Sequence, residues 1–265
     1  MADDPTRAGG PGDPARNAPG ATASAQADRL LRQLASATRA AAADIRRAER
    51  AYRLGAIGER KVGRILENLD RPWRVLHDIA LNDRGRNLDH LVIGPSGVFC
   101  LNTKHYPGAE VTVTQRTFRV RGRRWPHLAV SAHERDTIAR SLRRVTGRPI
   151  RVTPMVVLVG ARLDVRAAPD DVDVVAGDEL LARLGELPAR ISDDEIEALA
   201  LVAQRRSTWT PRALTVRPWA RWGHRRTYVN AADGTALGYR DDVTGIVHCL
   251  DPADLGAVTD ALRTH

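Results

Sequence analysis

The sequence predicts an α/β protein in which helices and strands are mixed (α+β) and a central mixed β-sheet is flanked by helices. Short apolar runs bounded by Pro and Gly alternate along the chain with segments of helical periodicity, the pattern expected of such a sheet. The hydrophobic content of 43% is enough for a packed core, although aromatic residues make up only 4%. We therefore expect a core built mostly from Ala, Val, Leu and Ile.

The N-terminal region divides into a tail and a helix. Residues 1–26 are rich in Ala, Gly, Pro and Asp and have no periodic apolar pattern, which predicts a disordered tail. From residue 27 to residue 54, apolar residues recur at helical spacing and predict a long amphipathic helix. That helix either packs on the rest of the chain, which we favour, or pairs with a second copy in a homodimer.

The next predicted domain covers residues 55–210 and starts with a second helix, GERKVGRILENLD. The segment 73–81 and the runs LDHLVIGP and GVFCLNTK predict buried strands, and Pro95-Ser96 joins the last two as a hairpin. The alternating segments EVTVTQ and TFRVRG predict a second, more exposed hairpin. Beyond them we expect a helix that ends at Gly147, another apolar strand, a strand followed by a helix, and a helix with Ser192 as its N-cap.

The C-terminal part of the chain predicts a linker and a small module. Residues 211–225 form a basic, Trp-containing linker, in which RPWARWGHRR places Trp219 and Trp222 among arginines. Aromatic residues between arginines can stack on nucleic-acid bases, but such Trp residues more often fill a domain junction, and we favour the junction. Residues 226–265 predict a β-hairpin followed by a helix.

Charge and cysteine content restrict the classes of function. The formal net charge of +9 and the pI of about 10.6 favour anionic partners, nucleic acid first and a membrane surface second, although Arg and Ala richness also arises from genome composition. Two distant cysteines make no disulfide framework and suit a reducing, cytoplasmic environment. No apolar run approaches the roughly 18 residues that span a bilayer, and we see no secretory signal, so no membrane partner is expected.

Three polar positions are predicted to meet at one side of the hairpin. If its turn is centred on Pro95-Ser96, Asp89 lies directly opposite Asn102. Directly paired residues share a face, and so do Asn102 and Lys104 because strand residues alternate. Lys104 is also one of only two lysines among 41 basic residues, the other 39 being arginines. A lysine retained in so Arg-rich a chain suggests that a compact ammonium is needed there.

Glu59 is the fourth candidate. It lies on the same helical stripe as Val62 and Leu66, so we expect a buried carboxylate, which must be paired, hydrogen-bonded or metal-bound. Carboxylates and an amide oxygen suit a hard cation such as Mg²⁺ or Mn²⁺, with Asp89, Asn102 and Glu59 as ligands. With Lys104 orienting or deprotonating the attacking water, or neutralising the developing charge, such a set could hydrolyse phosphodiester bonds.

The motifs G-x-x-G-E at 55–59, D-H-hydrophobic-G-P-x-G-V-F along the hairpin, and x-T-K at 102–104 together resemble the NERD (nuclease-related) domain, a family grouped with the PD-(D/E)XK nucleases. The resemblance covers roughly residues 55 to 165. It implies a restriction-endonuclease-like core, a metal-dependent nuclease activity on DNA or RNA, and catalytic roles for Asp89, Lys104 and Glu59. The departure is Asn102, where the superfamily usually has an acid.

Asn102 leaves two other interpretations open. The domain is then a catalytically weakened module that binds nucleic acid or another protein, or a scaffold in which Asp89 simply pairs with Lys104. A basic stripe of Arg119, Arg121, Arg123 and Arg124, with Trp125, is predicted to contact nucleic-acid phosphates, DNA more than RNA, or to be a solvated edge strand. Alternation places the first three of these arginines on one strand face.

Overall fold

A computed structural model describes residues 17–34, 37, 39–81, 86–210, 214–232, 234–251 and 254–263. The chain separates into two compact units, Met1–Trp209 and Thr210–His265. Each unit has its own hydrophobic core. None of the helices in the described ranges is long and apolar enough to cross a membrane.

Two helices begin the first unit, α1 (Ala21–Leu34) and α2 (Arg39–Leu66). They pack against each other: Ala27 of α1 is fully buried, and Arg60 Nη1 donates to Ser24 Oγ at 3.2 Å. The helix boundary predicted near residue 54 is absent, and α2 instead continues through Gly55 and Gly58. Of the predicted tail, residues 1–16 lie outside the described residues, whereas residues 21–26 belong to α1.

The first unit is built on a five-stranded mixed sheet with the strand order β1-β2-β3-β7-β9. The first three strands are antiparallel, and β3, β7 and β9 run parallel. The predicted fold class is confirmed. The strands are β1 (Arg74–Ala80), β2 (Asn87–Gly94), β3 (Gly97–His105), β7 (Val152–Val159) and β9 (Asp173–Ala176).

A second sheet has the order β6-β5-β4-β8 and contains the second predicted hairpin, although that hairpin buries Val111, Val113 and Phe118 completely. Its strands are β4 (Glu110–Thr114), β5 (Thr117–Val120), β6 (Arg123–Trp125) and β8 (Arg162–Val165). The remaining helices of this unit are α3 (His127–Thr146), α4 (Leu180–Glu186), α5 (Asp193–Ala203) and α6 (Arg206–Trp209). Ser192 caps α5 as predicted, in a capping box with Glu195.

Helices cover both faces of the five-stranded sheet. On one face, Ile138 and Leu142 of α3 pack with Leu91 of β2 and Cys100 of β3. On the other face, α2 and α4 pack on Val92, Phe99 and Leu101. Because neighbouring residues of β2 and β3 alternate between these two cores, the polar residues that continue the strands face α3 or α2 in turn.

The second unit is a four-stranded antiparallel sheet in the order β10-β11-β12-β13, with one helix, α7 (Leu255–Arg263). Its strands are β10 (Leu214–Arg221), β11 (His224–Ala231), β12 (Ala236–Asp241) and β13 (Val247–Cys249). The segment predicted as a linker, 211–225, therefore contains strand β10, which pairs with β11 along its whole length.

The two glycines of α2 provide a matched test of its packing. A Cβ on Gly58 would lie 2.7 Å from His105 Cβ, whereas one on Gly55 would meet only Glu59 Oε1 at 3.8 Å. Alanine improves helix propensity at both positions by about 0.5–1 kcal/mol, but at Gly58 overpacking costs about 1–3 kcal/mol. We expect Gly55→Ala to raise the melting temperature and Gly58→Ala to lower it. Equal shifts in the two variants would contradict the close approach of α2 to β3.

Candidate active site

The site forms where β2 and β3 run on from their shared apolar segment. The hairpin has the predicted register, with Gly94 opposite Gly97 and His90 opposite Leu101. Just beyond these pairs, Asp89 Oδ2 accepts a hydrogen bond from the backbone N–H of Thr103 at 2.6 Å. Asp89 continues the strand face of Leu91 and therefore lies on the side of α3.

Asn102 and Lys104 extend that same face on β3, after Cys100. Lys104 Nζ donates to Asn102 Oδ1 and also to the carbonyl oxygen of Thr103 at 3.2 Å. Thr103 and His105 point the other way, towards Gly58 of α2. The structure thus places the three predicted hairpin residues on one side of the sheet.

Glu134 of α3 joins this group, although the sequence did not single it out. Asn102 Nδ2 donates to Glu134 Oε2 at 2.8 Å, and both side chains are buried. The signal that marks Glu134 is the one that marked Glu59, an acid on an apolar helical stripe. The buried residues of α3 are Ser131, Glu134, Ile138 and Leu142.

Glu59 approaches from α2, on the opposite face of the sheet, and its carboxylate is electrostatically coupled to Asp89. Burial, together with the negative charges of Asp89 and Asp78, raises the pKa of Glu59 to about 8, despite the opposing effects of Lys104 and a backbone hydrogen bond from Gly20. Glu59 therefore holds a proton at neutral pH in the absence of another cation.

The pKa values of the other acids respond to the same shortage of positive charge. Burial raises the pKa of Asp89 to about 6, although Lys104 and the Thr103 N–H act in the opposite direction. Burial also raises the pKa of Glu134, which Asn102, Lys104 and Arg86 partly offset. Each carboxylate is more basic than in water because Lys104 alone does not compensate for their desolvation.

Asp78 of β1 is a second acid that the sequence did not single out, and the start of α1 is attached to it. Asp78 Oδ2 accepts the backbone N–H of Thr22 at 2.6 Å, and its Oδ1 accepts Asn87 Nδ2 at 2.5 Å. Its backbone φ of 50° is in the left-handed region, which non-glycine residues rarely adopt. With the Gly20 hydrogen bond to Glu59, these contacts hold the N-terminal end of α1 against the acidic cluster.

The acidic residues of the site limit how a divalent cation could bind there. Within the described ranges, no three His, Cys, Asp or Glu residues lie close enough together to hold a metal ion. Mg²⁺, however, usually keeps several waters and is bound through one or two carboxylates together with phosphate oxygens. Asp89 and Glu134 are hard oxygen donors with raised pKa values and a shared cationic neighbour, so their chemistry fits such an ion.

An aromatic cluster borders the site on the side of α3. Tyr106 Oη lies 2.6 Å from His127 Nε2. Burial, with the nearby charge of Lys104, lowers the pKa of His127 to about 3, so the ring of His127 is neutral at physiological pH. One turn further along α3, the buried Ser131 Oγ has no hydrogen-bond partner among the described residues.

The predicted basic stripe lies on the β5–β6 hairpin. Arg121 and Gly122 have φ values of 48° and 77° and form its turn, so Arg119, Arg121 and Arg123 do not share a strand face as alternation predicted. Arg119 instead lies directly opposite Arg124. All four arginines are exposed; Arg123 lies 5.2 Å from the ring centroid of Trp125, which stacks on His127 at 5.6 Å.

Comparison with known proteins identifies this part of the chain. The family described as NERD: Nuclease-related domain matches residues 54–159, which include Glu59, Asp89, Asn102, Lys104 and Glu134. The resemblance predicted from the motifs is confirmed: this segment is a nuclease-related domain, a family affiliated with the PD-(D/E)XK superfamily.

No curated protein matches the chain. A solved structure, that of Pyrococcus furiosus SfsA in complex with Ca²⁺, is 16% identical and aligns with a TM-score of 0.18. The alignment covers 70% of this chain and 60% of the SfsA chain. A TM-score this low supports no statement about the fold or the function.

Replacing Glu59 by Gln tests the electrostatic account. Its pKa rises from 4.5 to about 8 on folding, so the folded wild type binds a proton that the unfolded chain releases between these pH values. Wild-type stability therefore falls as pH increases through this window, and the loss is complete above about pH 8. We expect Glu59→Gln to be more stable than wild type by roughly 2–4 kcal/mol at pH 9 and nearly unchanged at pH 5.

Urea unfolding at several pH values measures this difference. The matched control is Glu67→Gln, which removes an exposed carboxylate just beyond the end of α2. A stability difference for Glu59→Gln that does not grow with pH would refute the assigned cause.

Proposed function

We propose that the nuclease-related domain is a metal-dependent nuclease in which Glu134 supplies the carboxylate that Asn102 lacks. The observation that carries this proposal is the 2.8 Å hydrogen bond from Asn102 Nδ2 to Glu134 Oε2. The amide at position 102 holds an acid from α3 beside Asp89 and Lys104. The negative charge that the superfamily pattern provides from β3 is thus still present, on another element.

The charge balance supports a cation as the missing component. Glu59, Asp78, Asp89 and Glu134 interact electrostatically within one region that also contains Lys104. Buried carboxylates without sufficient counter-charge are costly, and a divalent ion removes that cost. Asp89 and Glu134 would hold Mg²⁺ or Mn²⁺, and Glu59 would favour the ion through its negative charge once deprotonated.

Phosphodiester hydrolysis forms a bond between a water oxygen and phosphorus while the bond from phosphorus to the leaving sugar oxygen breaks. A bound divalent ion would polarise the phosphate and lower the pKa of the attacking water. The Lys104 ammonium would stabilise the negative charge that develops on the non-bridging phosphate oxygens. One proton of the water passes to a neighbouring carboxylate or to solvent, and the leaving oxygen gains a proton from solvent.

The substrate surface in this proposal includes the β5–β6 hairpin. Arg119, Arg123 and Arg124 are exposed there, and β6 leads through Trp125 to His127, which feels the charge of Lys104. These arginines would neutralise phosphates, and Trp125 would contact a base or sugar. DNA is the preferred substrate and RNA the second.

A second candidate function rests on the contact between Lys104 Nζ and Asn102 Oδ1. If Lys104 permanently occupies the position of the metal, the domain is a catalytically weakened module that binds nucleic acid or another protein. The two candidate functions predict different results when the acids of the site are replaced. The nuclease would lose cleavage, whereas the binding module would change only in stability.

The decisive experiment compares two acids of the same helix. Glu134→Gln removes the buried carboxylate, whereas Asp136→Asn removes an exposed one two residues later. We expect Glu134→Gln to lower Mn²⁺-dependent cleavage of plasmid and single-stranded DNA at least about 100-fold, since lost electrostatic stabilisation of this kind costs about 2.7–4 kcal/mol. Asp136→Asn should cleave like wild type.

A double substitution tests whether activity requires a carboxylate at either of positions 102 and 134, or Glu134 in particular. In Asn102→Glu/Glu134→Gln the acid and the amide exchange places, which keeps one carboxylate and one amide in contact. We expect this variant to recover most of the activity that Glu134→Gln loses. Wild-type activity in Glu134→Gln, or no metal-dependent cleavage by the wild type, would support the binding module instead.

A further inference from the structure

We infer that the exposed sheet face of the second unit binds single-stranded nucleic acid. The inference concerns residues 214–249 and holds whether or not the first unit cleaves its substrate. It rests on a row of aromatic rings, a concentration of arginine on strands β10 and β11, and an exposed Trp at a hairpin tip.

Among the described residues of this unit, only one face of the sheet is covered by a helix. Val258 and Leu262 of α7 pack on Val229 and Leu237 and form its small hydrophobic core. Val229 of β11 and Gly238 of β12 lie directly opposite each other and face α7, since a Cβ on Gly238 would lie 2.9 Å from Val258 Cγ1. Because side chains alternate along a strand, the residue before Val229 and the residue after Gly238 point away from α7. Tyr228 and Tyr239, which lie directly opposite each other on β11 and β12, are on this second face.

The second face presents aromatic rings from all four strands. Trp219 of β10 lies 6.3 Å from Tyr228, Tyr228 lies 5.2 Å from Tyr239, and Tyr239 stacks on His248 of β13 at 4.7 Å, all measured between ring centroids. A ladder of this kind in a hydrophobic core would be buried, but Trp219 is 36% exposed and His248 is exposed. A continuous aromatic strip that reaches solvent is a surface on which planar groups can stack.

Arginines of β10 and β11 border the aromatic strip, with Asp241 directly opposite Arg226 as an acidic neighbour. Residues 214–230 contain four arginines and no acidic residue. The Arg226 guanidinium lies 4.6 Å from the ring centroid of Tyr239 and 6.0 Å from that of Trp219, and Arg226 Nε has no hydrogen-bond partner among the described residues. The four arginines are Arg217, Arg221, Arg225 and Arg226.

The turn between β10 and β11 adds an exposed ring. Trp222 and Gly223 have φ values of 50° and 80°, so the hairpin uses a two-residue turn with positive φ at both positions. A bulky residue is disfavoured there, where Asn or Gly is usual. Trp222 is nevertheless 80% exposed and is stacked by Arg221 at 4.5 Å, so it contributes no core packing that would offset this strain.

These features together match an unpaired polynucleotide. Exposed rings stack on bases regardless of sequence, and arginines between them bind the phosphates. In a duplex the base faces are already stacked on each other, so only the phosphates would be available. An acidic peptide would satisfy the arginines but would leave the aromatic strip without planar partners.

Fluorescence anisotropy of the full chain with fluorescein-labelled dT and U oligomers of about 15 nucleotides tests the inference. EDTA in the buffer prevents metal-dependent cleavage, so this result is independent of nuclease activity. We expect both single strands to bind more tightly than a duplex of the same length, with the DNA and RNA arms identifying the preferred strand. Trp219→Ala and Tyr239→Ala should each weaken single-strand binding roughly 5- to 100-fold.

Trp222→Asn provides a variant that should fold even if Trp219→Ala and Tyr239→Ala do not. Asn tolerates positive φ, so the variant should be more stable than wild type yet bind the single strand more weakly. Val243→Ala and Arg263→Gln remove an exposed apolar side chain and an exposed positive charge elsewhere in the unit and should bind like wild type. Unchanged binding in Trp222→Asn, or losses confined to Trp125→Ala in the first unit, would overturn the inference.

Discussion

The ammonium of Lys104 lies among more buried and half-buried carboxylate than one positive charge can balance. Asp89, Glu134 and Glu59 have raised pKa values for the same reason, namely desolvation that Lys104 only partly offsets. Each of these carboxyl groups must stay protonated or bind a cation, because an unpaired charge there would destabilise the fold. An arrangement of this kind costs stability in the resting protein, which is common where acids are held ready for a charged ligand.

The rest of the first unit holds this cluster together from both faces of the sheet. The β2–β3 hairpin fixes Asp89, Asn102 and Lys104 by its register, and α3 brings Glu134 onto the same side. Glu59 arrives from the other side because Gly58 lets α2 approach β3 closely. The carboxylates therefore interact electrostatically only when the mixed sheet and both helices have folded.

The sequence was sufficient to predict the features that depend on residues close together along the chain. The turn at Pro95-Ser96 determined the hairpin register, and helical spacing placed Glu59 on a buried stripe. Glu134 was missed because its position depends on how α3 packs across β3, a contact between residues 32 positions apart. The continuation of α2 through Gly55 and Gly58 was also missed, because tertiary packing overrides the weak helix propensity of glycine. Strand β10 was missed because it contains Pro218, and Pro within a run argues against a strand.

Calorimetric titration of Mn²⁺ into the wild type and Asp89→Ala, at pH 6 and at pH 8.5, tests the central claim of a cation-binding acidic cluster. The account predicts one site in the wild type, tighter at the higher pH because Asp89 and Glu59 must lose protons with pKa values of about 6 and 8. Asp89→Ala should lose that site. No binding by the wild type, or equal binding by the variant, would contradict the claim and leave Lys104 as the counter-ion of the cluster.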